Sequence, residues 1–200
     1  AYGNLAGSPW EWTADPAIQD LLVRSRDDSR MFGTQIAFDV PNQDDAFPEL
    51  AAYRVAEELG LPVTTHAGVW GATNDWGIRN AYHAGVMKEG YTYVHAASLS
   101  AESYQKIAAT GGNVSLATES EDTCGQGYPP VHQLRRYGIP ASLSVDTSVW
   151  FSADLFSAMR ATVNADRALE HYHAHQLEPA ETVTHVKLRA EEVVHMATRG

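Results

Sequence analysis

The chain repeats one pattern, in which a helical segment leads into a short β-like run and then into a polar loop. Three of these runs close on side chains that bind metals or carry protons, namely His66, His95 and Asp146. Strands that alternate with helices indicate βα units and a parallel α/β sheet rather than a sandwich. In barrels built from such units, reactive side chains lie at the carboxyl ends of the strands. The pattern therefore constrains both the fold and the position of a site.

The hydrophobic periodicity predicts five strands and seven helices. The strands cover residues 31–40, 62–66, 91–95, 113–118 and 139–146, and the helices cover residues 16–28, 45–59, 76–88, 100–110, 129–137, 154–171 and 186–199. Residues 119–128 are predicted to form a polar loop. An open flavodoxin-like sheet also accommodates five strands, but no phosphate-binding glycine pattern follows the first one. We predict a single domain over residues 1–200.

Composition excludes several classes of function. The formal net charge is -11, and the 14 Lys and Arg residues form no cluster, so nucleic-acid binding is not expected. No apolar run approaches the roughly 18 residues that a membrane span needs. The single cysteine, Cys124, excludes an intrachain disulfide and favours a reducing compartment, so we predict a cytoplasmic protein.

Three strand ends carry the chemistry. His66 taken alone is better explained as a histidine that is hydrogen-bonded beneath a loop. Asp146 follows Ser-Leu-Ser-Val, and a carboxylate entering an apolar barrel is costly unless a metal ion or a histidine offsets its charge. Together with His95, the recurrence at three strand ends favours function. His66 and Asp146 are predicted metal ligands, although a catalytic metal usually takes a third protein ligand.

Polar and aromatic residues in the intervening loops are secondary candidates. Glu119 and Glu121 follow the fourth run and are predicted either to contact substrate or to form a solvated acidic loop. Trp70 and Trp150 follow His66 and Asp146, so they either wall a substrate pocket or pack in the core.

The remaining histidines are predicted to be structural or exposed. The His-Tyr-His-Ala-His stretch at residues 171–175 follows a long helix, and a helix does not place residues two apart on one face. His83, His132 and His195 lie inside predicted helices, and His185 directly precedes the last one.

Several segments of the chain together resemble the amidohydrolase superfamily, in its branch of cytosine-deaminase-like and chlorohydrolase-like metal-dependent hydrolases. The resemblance covers about residues 30–200. It is carried by Leu-Pro-Val-Thr-Thr-His66, Tyr-Thr-Tyr-Val-His95-Ala-Ala-Ser-Leu-Ser, Gly-Gln-Gly-Tyr-Pro-Pro130, Gly-Ile-Pro-Ala-Ser-Leu-Ser-Val-Asp146 and Asp154-Leu-Phe-Ser-Ala-Met-Arg160.

This resemblance implies a (β/α)8 TIM barrel, present here in part as about strands 4 to 8. The strand-five His66 would bind one divalent metal ion, with zinc expected first and iron or manganese as alternatives. The strand-six His95 would bind or polarise the substrate, and the strand-eight Asp146 would bind the metal and move protons. The His-x-His pair of the first strand is absent, so we expect a fragment of a longer enzyme.

One departure from the family bears on the substrate. Val69 occupies the position, three residues after the strand-five histidine, where deaminases and triazine hydrolases of this branch carry a glutamate. We therefore expect hydrolysis of a C–N bond (amide, imide or amino-substituted ring) of a small molecule by a metal-activated water, with Glu119 taking over part of the missing role. An aminohydrolase of a nucleobase-like heterocycle, a metal-dependent lyase or isomerase, and a non-catalytic remnant that binds a ligand or partner are alternatives. A homo-oligomer is compatible with the sequence.

Overall fold

The computed structural model describes residues 2–4, 11–25, 33–38, 47–69, 75–149, 151–180 and 186–200. Trp70 and Trp150, the predicted pocket walls, lie outside the described residues, as does His185. The side chains of His66, His95, Glu119 and Asp146 are all described.

Six parallel strands form one sheet whose spatial order follows the chain. They are β1 (Tyr2–Asn4), β2 (Ile36–Phe38), β3 (Val63–Ala67), β4 (Thr92–His95), β5 (Asn113–Leu116) and β6 (Ala141–Leu143). Sequential parallel pairing with helical crossovers is the arrangement of a barrel wall. The predicted α/β architecture and its five strands are confirmed, and β1 adds a strand that was not predicted. Among the described residues the sheet is open, with β1 and β6 at its edges.

Helices connect the strands. They are α1 (Pro16–Arg24), α2 (Leu50–Glu58), α3 (Trp76–His83), α4 (Ala101–Ala109), α5 (Thr118–Thr123), α6 (Val131–Tyr137), α7 (Leu155–Leu177) and α8 (Ala190–Thr198), with a 3-10 turn at Glu11–Ala14. The Asp15 side chain caps α1 by accepting from the Ala17 N–H at 2.8 Å, as is typical of an aspartate directly before a helix. None of the described helices is long and apolar enough to cross a membrane.

Several predicted helix boundaries are wrong by four to six residues, among them the ends of α3 and α7. Helix α3 ends at His83 rather than at residue 88, because the chain turns at Gly85 with a φ of 68°. Helix α7 continues to Leu177, so residues 171–175 lie inside it rather than after it. Nothing within that stretch breaks a helix, and the next proline is Pro179.

Two further differences concern residues of the predicted site. Residues 118–123 form helix α5 instead of a loop, since the Glu121 side chain folds back to accept the Ala117 N–H at 2.8 Å. Strand β6 ends at Leu143, so Asp146 lies in the following loop and not at the strand end. These differences change the directions of the Glu119, Glu121 and Asp146 side chains.

Residues along the strands alternate between two environments. The fully buried set faces the helices and belongs to the hydrophobic core; it includes Ile36, Val63, Tyr93, Val114 and Leu116. The other set is half-buried and largely small or polar, as Thr64, Thr92 and Ser115 illustrate. The helices therefore cover one face of the sheet, and His66 stands on the other face.

A buried carboxylate marks the packing of α6 against α7. Asp166 lies within the core, and among the described residues neither of its oxygens has a hydrogen-bond partner. The Arg135 guanidinium lies 3.9 Å from Oδ2. Burial, and next the Glu170 carboxylate, raise the pKa of Asp166 above 3.8.

The core predicts a sharp contrast between two identical truncations. Leu116 in β5 is 0% exposed, whereas Leu177 at the end of α7 is 89% exposed. Leu116→Ala should lower the free energy of unfolding by about 3 kcal/mol, because it removes buried apolar volume. Leu177→Ala should change it by less than about 0.5 kcal/mol. Urea unfolding checks both values, and equal effects would contradict the assignment of the core.

Asp166 within α7 and Asp154 at its N-cap should make contributions to stability that change with pH in opposite directions. The Asp166 pKa is raised above 3.8, so the stability it contributes is present below that pH and is lost as the pH rises through the folded-state pKa. The Asp154 pKa is lowered by hydrogen bonds from Ser157 and Phe156, so its contribution is present above pH 3.8 and is lost as the pH falls.

The matching experiment compares Asp166→Asn and Asp154→Asn with the wild type from pH 3 to pH 7. Relative to wild type, Asp166→Asn should gain unfolding free energy as the pH rises, since the neutral amide avoids the buried charge. Asp154→Asn should instead lose relative stability. The measurement is denaturant unfolding at each pH. The burial argument would be contradicted if, relative to wild type, the unfolding free energies of both variants changed with pH in the same direction.

Candidate active site

His66 lies near the carboxyl end of β3, on the sheet face that the helices do not cover. In the β3–β4 register it pairs with Val94, and Ala67 pairs with His95. The imidazole rings of His66 and His95 stack, with centroids 5.4 Å apart and planes inclined by 29°. Two predicted site residues are therefore in contact at the same edge of the sheet.

His95 reaches His66 because the backbone leaves the β conformation. Strict alternation along β4 would place His95 with Tyr93 on the helix-covered face. Its φ is instead 68°, and the φ of Ala96 is 54°. A left-handed conformation at a non-glycine residue costs about 1–3 kcal/mol and persists only where neighbouring contacts enforce it. It turns the His95 ring toward His66.

Hydrogen bonds from three elements hold this turn. The Ala96 N–H donates to the Ala67 carbonyl at 2.9 Å, and the Tyr104 hydroxyl of α4 donates to the Ala96 carbonyl at 2.5 Å. The Ser98 N–H donates to the Gly68 carbonyl at 2.9 Å. The loop after β4 is thereby tied to the loop after β3 and to α4.

Glu121 is a site residue that the sequence did not distinguish from Glu119. Its side chain is 0% exposed, and its Oε1 lies 3.3 Å from Nδ1 of His95. Burial raises the pKa of Glu121 above 4.5, while the contacts with His95 and the Ala117 N–H oppose that rise. Helix α5 brings this carboxylate beneath the imidazole.

Asp146 approaches the same imidazole from the other side. Its Oδ2 lies 3.9 Å from Nε2 of His95, and its side chain is 30% exposed. Its backbone is also left-handed, with a φ of 56°, and its N–H donates to the Ser144 hydroxyl at 3.0 Å. Aspartate tolerates this conformation better than most residues. His95 thus stands between two carboxylates, one buried and one accessible.

Glu119 has a different contact. Its Oε2 accepts a hydrogen bond of 2.6 Å from the Ser152 hydroxyl, which links α5 to the loop that follows Asp146. Residues two apart on a helix point to opposite sides, so Glu119 and Glu121 cannot share one role. A catalytic or substrate-binding role for Glu119 stays a prediction. Val69, where the resemblance expects a glutamate, is a buried apolar residue.

The donors at this edge match zinc chemistry but do not form a complete set. Imidazole nitrogen and carboxylate oxygen are common zinc ligands, and a catalytic zinc takes three protein ligands. Across the part of the chain that the structure describes, no group of three His, Cys, Asp or Glu side chains is arranged to hold a metal ion. His66 and Asp146 would therefore require a further ligand from outside the described residues.

Two glycines allow the loops of the site to pack closely. A Cβ at Gly68 would lie 2.7 Å from Cγ of Leu99. A Cβ at Gly127 would overlap the Ala97 carbonyl, and the φ of Gly127 is 134°. The loop after β4 is thus enclosed by glycine-bearing segments from both neighbouring loops.

A cavity of about 690 Å³ lies at the opposite end of the sheet. It is lined at the strand starts by Thr92, Asn113 and Ala141, and from α8 by His195. The reactive side chains and the left-handed residues gather at the carboxyl edge instead. We therefore place the candidate site by its chemistry and not by this cavity.

A pair of glycine substitutions tests the enclosure of the loop after β4. Gly127→Ala should destabilise the chain by at least about 1 kcal/mol more than Gly125→Ala, because it adds an overlap with Ala97 to the backbone strain. Gly125 has a φ of 67° with no atom near its Cβ position, so it carries only the strain. Denaturant unfolding measures both, and equal losses would show that the packing is loose.

Solved structures with the same fold include deaminases and hydrolases. An adenosine deaminase from Xanthomonas campestris with bound zinc has a TM-score of 0.63 and 21% identity, over 77% of this chain and 37% of that chain. Helicobacter pylori aminofutalosine deaminase has a TM-score of 0.63 and 17% identity, over 98% of this chain and 50% of that one. A triazine hydrolase variant has a TM-score of 0.66 and 18% identity, over 90% and 40% of the two chains.

The likeness to these enzymes is one of fold, at 21% sequence identity or less. No family model matches the chain, and no curated protein matches it. The chain spans half or less of the length of the three enzymes above. It therefore has the fold of these deaminases and hydrolases, as a partial (β/α) barrel.

Proposed function

We propose that the chain supplies part of the active site of a hydrolase that cleaves a C–N bond of a small molecule. The observation that carries this proposal is the convergence of His66, His95 and Asp146 at the carboxyl edge of a partial barrel. Reactive groups of such barrels lie at this edge. An amide, an imide or an amino-substituted ring is the substrate class, and a cytoplasmic location is part of the same proposal.

His66 and Asp146 are the residues that would hold a divalent metal ion, zinc first and iron or manganese as alternatives. When bound, such an ion supplies the Lewis acidity that lets water attack near neutral pH. A further ligand has to come from outside the described residues.

The residues of the chain have separate roles in this proposal. The accessible carboxylate of Asp146 accepts a proton from the attacking water and passes it to the leaving nitrogen, as a base and then as an acid. His95 faces the same space through Nε2, where it would bind or polarise the substrate. His95 is held rigidly for this role by its enclosed backbone.

Deamination of a nucleobase-like heterocycle is the second candidate. It is favoured by the fold that the chain shares with the adenosine deaminase and the aminofutalosine deaminase. It is opposed by Val69, which has no proton to exchange with a ring nitrogen. Products separate the two candidates, because deamination of a heterocycle releases ammonia and leaves the ring intact.

Zinc binding tests the proposed ligands directly. Isothermal titration of the chain with ZnCl2 should show one site, and His66→Ala or Asp146→Asn should weaken it by at least about tenfold, because each removes a donor. His83→Ala and Asp20→Asn are matched controls, since both residues are exposed and lie away from the site. Zinc binding that is equal in all five proteins would contradict the ligand assignment.

Turnover gives an independent test. In the full-length protein, Asp146→Asn should reduce hydrolysis of a panel of amides, cyclic imides and aminated heterocycles by at least about 100-fold, because the proton acceptor is lost. The Asp20→Asn variant should retain the wild-type rate. Wild-type turnover by Asp146→Asn would overturn the role of Asp146, and an absence of both zinc and turnover in the wild type would favour a non-catalytic binding role.

A further inference from the structure

We propose that Glu121 is a positioning residue that holds the His95 imidazole with its proton on Nδ1 and its Nε2 directed into the site. The catalytic meaning of this inference rests on the proposed function. The hydrogen-bond arrangement on which it depends does not.

The contact between Glu121 and His95 is enclosed. Both side chains are almost fully buried, at 0% and 3% exposure, and Oε1 lies 3.3 Å from Nδ1. Water therefore does not compete for Nδ1, and this nitrogen needs a hydrogen-bond partner within the protein.

The direction of the hydrogen bond follows from a third group. The Ala117 N–H donates to the same Oε1 at 2.8 Å, so this oxygen already acts as an acceptor. An ionised carboxylate can only accept, and its oxygen has room for a second donor. Nδ1 of His95 must then carry the proton and donate it to Glu121.

The opposite ring nitrogen is thereby assigned to the site. Nε2 lies 3.9 Å from Oδ2 of Asp146, on the accessible side of the ring. In the neutral ring this nitrogen is an acceptor, and in the doubly protonated ring it is a donor. Nε2 is therefore the ring nitrogen that faces Asp146 and, in the proposed function, the substrate.

The anchoring of α5 makes Glu121 a fixed partner. The Thr118 and Thr162 hydroxyls are 2.8 Å apart and join α5 to α7 in a buried contact. The folded-back bond to the Ala117 N–H fixes the Glu121 side chain at the start of the same helix. Glu121 can therefore oppose rotation of the His95 ring, which supports the role of a positioning residue rather than of a group that touches substrate.

The experiment reads the tautomer of His95 without any substrate. Long-range 1H–15N correlation spectra of the chain labelled with 15N-histidine, recorded at about pH 8 and without metal, distinguish protonated from unprotonated ring nitrogens. His95→Gln identifies the signal of this ring. In the wild type, Nδ1 of His95 should carry the proton.

Glu121→Gln and Glu119→Gln form a matched pair in the same helix. Glu121→Gln should lower the ratio of the Nδ1–H to the Nε2–H tautomer by about fivefold, because a neutral amide accepts more weakly than a carboxylate. Glu119→Gln should leave the ratio unchanged, since Glu119 bonds Ser152. A wild-type ring protonated at Nε2, or a ratio unaffected by Glu121→Gln in a folded protein, would overturn the inference.

Other outcomes separate this inference from the proposed function. If Glu121→Gln does not fold, the wild-type spectrum still decides the tautomer, and Glu121→Asp tests whether a withdrawn carboxylate weakens the preference. A wild-type ring protonated at Nδ1 supports the positioning geometry even if zinc binding and hydrolysis are both absent, which would overturn only the proposed function. Where hydrolysis is found, Glu121→Gln should lower kcat more than it changes KM.

Discussion

The left-handed turn at the end of β4 is the constraint on which the site depends. It rotates the His95 ring from the helix-covered face of the sheet toward His66, and it requires two consecutive non-glycine residues at positive φ. Such a conformation is unfavourable by itself and is kept because surrounding groups enforce it. The Tyr104 hydroxyl and the Ala67 carbonyl enforce it from two sides. The backbone strain is thus located at His95, whose side chain lies between two carboxylates.

Local signals explain why the elements of the fold were predictable. Asp15 and Ser100 each accept a backbone N–H at a helix start, and Gly138 ends α6 with a φ of 66°. These effects act within a few residues, so a sequence pattern contains them. Strand β1 was missed because the three residues Tyr2–Asn4 are too few to establish a period.

The site was only partly predictable, because its remaining features depend on distant parts of the chain. The strand ends located His66 and His95, whereas the orientation of His95 depends on Tyr104 of α4. Glu121 could not be preferred to Glu119, since the choice depends on a helix that its own side chain helps to form. Asp146 was placed at the end of β6, yet the ladder ends at Leu143 and a loop carries the carboxylate to the imidazole. Periodicity reports burial along an element and does not report contacts between loops.

A buried Glu121 beside His95 contributes poorly to stability and is better explained by function. Removing a carboxylate from water is unfavourable, and one histidine with one backbone N–H compensates for it only in part. Its Oε2 has no hydrogen-bond partner among the described residues, so the group is not fully satisfied. An apolar side chain at position 121 would pack against the ring without this cost, but it could not select the protonated nitrogen of the imidazole. Positions where a chain breaks the rules of stable packing are expected at functional sites, and position 121 breaks them beside the His95 imidazole, where the proposed positioning role needs a carboxylate.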